Sequence, residues 1–128
     1  MEAAMNRLGT EKPAGGFELF AWFFMRLSGI VLILLVLGHL AIMHIINNVE
    51  DVNYDFVAAR YATPFWRTYD MVMLWLALIH GLNGLRAIID DYVHTRTWRA
   101  ISLSCLYFFG FVFLVIGSLV IFTFKSIG

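Results

Sequence analysis

The chain of 128 residues is 61% hydrophobic and 16% aromatic, with only 14% charged residues. An ordinary soluble domain is about 45–50% apolar and about 25% charged, so this composition excludes a soluble globule. Nine basic residues balance nine acidic ones, leaving no basic face for nucleic acid, and a single cysteine, Cys105, rules out an internal disulfide. No Cys/His pattern has zinc spacing, so redox chemistry here would need a cofactor.

A helix needs about 20 apolar residues to cross the hydrocarbon core, and the chain has room for three such spans and little else. Residues 1–16 are polar, end in helix breakers and lack an apolar core ahead of a small-residue cleavage site, so they read as a cytoplasmic tail. Glu2 and Glu11 do not suit an import presequence, which points to a bacterial inner membrane. Residues 17–128 then form one all-α transmembrane domain, with spans at about 18–46, 69–92 and 100–124.

The first span opens on the aromatic stretch Phe17 to Met25 and carries Glu18, Arg26, His39 and His44. The connector from Asn47 to Arg67 holds Glu50, Asp51, Asp55, Arg60 and Arg67, a composition that belongs in water, with a short interfacial helix expected over Phe56 to Tyr61. His80, Asn83 and Arg86 lie in the second span, and Asp90, Asp91, His94, Arg96 and Arg99 make a solvated turn after it. The third span has no ionisable side chain besides Cys105 and Tyr107; its Gly110 and Gly117, seven apart, mark a face for close helix contact. Cys105 reads as a small packing residue, and Trp22, Trp75 and Tyr107 as gap fillers between helices. With the N-terminus cytoplasmic, the inner side receives Arg7, Lys12, Arg26, Arg86, Arg96 and Arg99, and the outer side receives Arg60, Arg67 and Lys125. Six cations against three favour that orientation.

An ionisable residue within a span is costly and usually faces a protein interior, a cavity or a cofactor. His80 lies midway along the second span, and Gly84, Ala87 and Asp91 follow within about 40° of its direction at 100° per residue. Small side chains beside a neutral imidazole suit a flat macrocycle whose iron takes the imidazole as axial ligand. The same stripe also suits a helix-packing groove bridged by a histidine hydrogen bond.

The run Ile79-His80-Gly81-Leu82-Asn83-Gly84-Leu85-Arg86-Ala87-Ile88-Ile89-Asp90-Asp91-Tyr92, in outline H-x3-G-x6-D-Y, resembles the second membrane helix of the D-type anchor of succinate dehydrogenase. Phe24-Met25-Arg26-Leu27-Ser28-Gly29 looks like the arginine-bearing start of that family's first helix. The resemblance implies a membrane anchor without a dicarboxylate site of its own. It implies that His80 ligates the iron of haem b, with the opposite ligand on a companion C-type anchor. Tyr92 would hydrogen-bond a quinone carbonyl, supported by Asp91 and Ser28, and Arg26 would face a haem propionate or the quinone region. His39 and His44 depart from the pattern of some members; related two-haem anchors use a histidine in this helix, which makes His39 or His44, with His39 preferred, the candidate for a second haem, and His44 also reads as an interface residue beside Asn47. Ser28 and His39 share a helix face, as do Arg26 and His44, eighteen apart. The implied partners are the C-type anchor, an iron-sulfur subunit, a flavoprotein, the lipid bilayer and ubiquinone or menaquinone. A fumarate reductase anchor and a cofactor-free assembly subunit are the alternatives.

Overall fold

A computed structural model describes residues 15–125. Of the expected tail, residues 1–14 lie outside the described residues, and Gly16 already opens the first helix. Helix α1 covers Gly16–Ala41 and runs directly into a π-helical turn, Ile42–Ile46. After a single 3-10 turn at Val49–Asp51 come α2, Tyr54–Tyr61, then α3, Pro64–Tyr92, and α4, Arg96–Thr123. The fold is all-α, and α1 with its π turn, α3 and α4 are each long and apolar enough to cross a membrane.

Local chemistry sets the helix ends. Asn53 caps α2, its side-chain oxygen accepting the Phe56 N–H at 3.0 Å. Pro64 occupies the first turn of α3, where its missing N–H costs nothing, and this starts the helix ahead of residue 69. The π turn places the Ile42 carbonyl where it accepts both the backbone N–H of Asn47, at 3.2 Å, and its side-chain amide, at 2.7 Å. That turn breaks the 3.6-residue period, so the alignment of Arg26 with His44 expected for a continuous α-helix does not carry across it, and His44 is exposed.

Helix α3 is the centre of the arrangement, with a seam against α1 on one side and a broader one against α4 on the other. In the α3–α4 seam, a Cβ on Gly110 would lie 2.5 Å from a methyl of Leu82, and one on Gly117 would lie 2.8 Å from a methyl of Leu74. These glycines thus admit close contact, as their spacing predicted. Trp75 is not merely a filler, because its indole N–H donates to Ser118 at 3.0 Å, and Tyr107 lies on an exposed face. Large apolar side chains such as Phe20, Leu34, Phe108, Phe111 and Phe122 point outward, where lipid and other subunits meet them.

The connector departs most from expectation. Arg60 is buried in the protein and not in water: its guanidinium donates to Asp70, at the start of α3, at 2.9 Å, and lies 4.6 Å from the Trp66 ring centre. Tyr61 donates to the other Asp70 oxygen at 2.9 Å. Burial and the neighbouring Asp70 carboxylate push the Tyr61 phenol up to about 12, against a smaller opposing pull from Arg60 and Arg67. Arg67 donates to the carbonyls of Tyr61, Phe122 and Phe124, capping the C-terminal end of α4. Together these contacts form a clasp that ties α2 to the N-terminal end of α3 and the C-terminal end of α4.

Candidate functional site

The α1–α3 seam is built from small residues that let polar side chains reach across. Ser28, only 3% exposed, faces α3, and its hydroxyl oxygen lies 2.7 Å from Nδ1 of His80. Beside it, a Cβ on Gly29 would stand 3.5 Å from Cε1 of the same ring, so the imidazole edge rests on bare backbone. One turn further along α3, Gly84 admits the Met25 methyl, 3.4 Å from where its own Cβ would be. Toward the C-terminal end of α1, Tyr69 donates to the Leu35 carbonyl at 2.5 Å, its oxygen passing 2.8 Å from the Cβ position of Gly38.

His80 is half-buried, with Nδ1 engaged by Ser28 and Nε2 without a hydrogen-bond partner among the described residues. Haem iron needs an imidazole nitrogen with a free lone pair on a ring held in orientation through its other nitrogen. With its ring hydrogen on Nδ1, His80 meets both requirements, so these residues fit a haem ligand. The rest of the expected stripe does not form one lining: Gly84 is occupied by α1, while Ala87 and Asp91 are exposed.

The other expected site residues are spread along the chain. Arg26 is two residues from Ser28, about 200° round α1, so it is turned away from the seam. It is exposed, and its guanidinium sits 4.2 Å from the Trp22 ring centre. The Trp22 indole nitrogen is buried with no partner among the described residues. Asp91 is exposed and Tyr92 is 81% exposed, closing α3 at its C-terminal end. His39 is half-buried in the C-terminal half of α1. Only Ser28 and His80 are brought into direct contact.

Where the N-terminal end of α1 meets the C-terminal end of α3, the sequence reading missed a charge network. Arg86 lies 3.6 Å from Glu18 of α1 and 3.6 Å from Asp90, and Asp90 accepts from Arg99 of α4 at 2.7 Å. Asp90 therefore belongs to the last turn of α3 and joins three helices, instead of being solvated in a turn. Asp70 was missed as well, although an acid at the start of an apolar span, ten residues after an arginine, carried the signal that singled out His80.

A sequence profile of the family described as "Succinate dehydrogenase/Fumarate reductase transmembrane subunit" matches residues 11–119. The succinate dehydrogenase hydrophobic membrane anchor subunit of Archaeoglobus fulgidus is 32% identical over 81 residues, which cover 63% of this chain and 68% of that one. With three membrane-length helices and a match over most of its length, the chain belongs to the succinate dehydrogenase/fumarate reductase transmembrane subunit family and is a multi-pass membrane anchor.

Proposed function

We propose that this anchor holds haem b through His80 and presents quinone beside Tyr92, so that electrons from succinate reach the quinone pool at the membrane. The observation that supports haem ligation is the His80 ring, fixed at Nδ1 with Nε2 free. When bound, haem b supplies a one-electron store beside the path. His80 would hold its iron, and a companion C-type anchor would supply a further ligand. His39 is the residue for a second haem, which the haem-to-protein ratio decides.

Tyr92 and Asp91 end α3 about 18 Å along the helix from His80, at 1.5 Å for each of the twelve intervening steps. There the phenol donates a hydrogen bond to a quinone carbonyl and assists its protonation, with Asp91 alongside. The iron-sulfur subunit docks on this end and the flavoprotein oxidises succinate beyond it, which puts the N-terminus in the cytoplasm. Arg26, exposed on the far face of α1, would face a haem propionate or the quinone region. The Ser28–His80 and Met25–Gly84 contacts also fit an anchor without haem, in which His80 only joins α1 to α3.

A reduced-minus-oxidised spectrum of the purified complex separates these readings. A b-type band that is lost or turned high-spin in an assembled His80→Ala complex supports ligation; unchanged low-spin haem refutes it. In the same preparation, Tyr92→Phe should slow quinone reduction while succinate oxidation with an artificial acceptor stays normal. If neither activity falls, the role of Tyr92 is wrong.

A further inference from the structure

The contact between Ser28 and His80 has two readings that differ in where the protons sit. A serine hydroxyl carries one hydrogen, and a neutral imidazole carries one as well. If Ser28 donates to Nδ1, the ring hydrogen is on Nε2, where no described residue accepts it and a half-buried N–H is left unmatched inside the membrane. If Nδ1–H donates to Ser28, the serine hydrogen is free to turn to the Met25 carbonyl, 3.5 Å away on the preceding turn. Every hydrogen of the pair then has an acceptor, and Nε2 presents a lone pair.

We propose that Ser28 is the positioning residue of the haem ligand: by accepting the Nδ1 hydrogen it fixes the tautomer, orientation and basicity of His80, and so tunes the haem instead of contacting quinone. This inference rests on His80 being the ligand. Three observations on this chain carry it. The Ser28 side chain is buried, so water does not compete for the imidazole hydrogen. The absence of a side chain at Gly29 lets the ring edge settle against α1. The relay ends on the Met25 carbonyl, within the same helix, so it requires no group from another subunit.

A hydrogen bond from the far nitrogen of an axial imidazole makes it a stronger donor to iron and favours the oxidised metal. Removing the acceptor in Ser28→Ala should therefore raise the haem potential. A tenfold change in the ratio of reduced to oxidised haem at a fixed ambient potential is about 59 mV for one electron, and a shift of that order is expected.

The test is a redox titration of the haem in the purified complex, with its low-spin electron paramagnetic resonance spectrum, for wild type, Ser28→Ala and Ser28→Thr. The inference requires a positive shift and altered g-values in Ser28→Ala, with recovery in Ser28→Thr, which restores the hydroxyl. Unchanged potential and spectrum in Ser28→Ala overturn it. Haem loss from both assembled variants also overturns it, because a hydroxyl would then not be what matters at this position. If Ser28→Ala does not assemble, Ser28→Cys supplies a near-isosteric, weaker acceptor, and the same presence or absence of a shift decides. Low-spin haem persisting in His80→Ala, or a wild-type complex without haem, refutes the ligand assignment itself and this inference with it.

Discussion

Replacing Asp70 with Leu would leave the Arg60 guanidinium buried without its counter-charge. The two side chains are only 5% and 9% exposed and stand 2.9 Å apart. At an effective dielectric of about 20, that separation gives an attraction of about 6 kcal/mol. Several kcal/mol of desolvation for each ion offsets most of it. The pair as a whole should therefore contribute little relative to apolar residues of similar size, whereas removing one partner should cost about 3–5 kcal/mol. Asp70→Leu should be the worse single change, since Tyr61 also loses its acceptor. Arg60→Met should cost somewhat less, because Tyr61 still meets the remaining carboxylate. The double variant should recover most of the loss. Unfolding of the purified complex in a denaturing-detergent series measures all three. A single variant that loses less than about 1 kcal/mol, or a double variant as unstable as Asp70→Leu, would refute the reasoning.

In the α1–α3 seam, Gly38→Ala should push the Tyr69 hydroxyl off the Leu35 carbonyl and cost about 1–3 kcal/mol; Tyr69→Phe, which removes that hydroxyl, should relieve the clash, and equal instability with and without it would count against this account. The raised pKa of Tyr61 predicts that its phenol binds its proton more tightly folded than unfolded, so its contribution is complete below pH 10 and is lost as pH rises toward about 12. A tyrosinate absorbance titration should show a late-titrating tyrosine that disappears in Tyr61→Phe.

The three long helices were legible because uninterrupted apolar length is a strong signal, and α2 because its short helix-forming run lies between a capping Asn53 and Pro64. His80 was legible as a polar residue set deep in such a run. Its partner was not: Ser28 is 52 residues away in sequence, and a small hydroxyl in an apolar helix carries no distinctive pattern. The clasp escaped for a different reason. Arg60 and Tyr61 look solvent-bound when read along the chain, and only the return of α3 brings Asp70 against them. The π turn was illegible too, because it depends on how the Asn47 amide meets the Ile42 carbonyl, and apolar periodicity does not report that.

The two ends of the molecule should respond differently to ionic strength. Where α1 begins and α3 ends, the Glu18 side chain is 63% exposed and that of Arg99 51% exposed, so their ion pairs lie within reach of dissolved salt. The Debye length falls from about 8 Å at physiological salt to about 3 Å at 1 M, which weakens exposed pairs and leaves shielded ones nearly intact. The buried Arg60–Asp70 pair belongs to the shielded class. Concentrated salt would therefore weaken the charge ties among α1, α3 and α4 at the Glu18 end, leaving the apolar seams to hold those helices, while the Arg60–Asp70 pair still ties α2 to α3 at the other end.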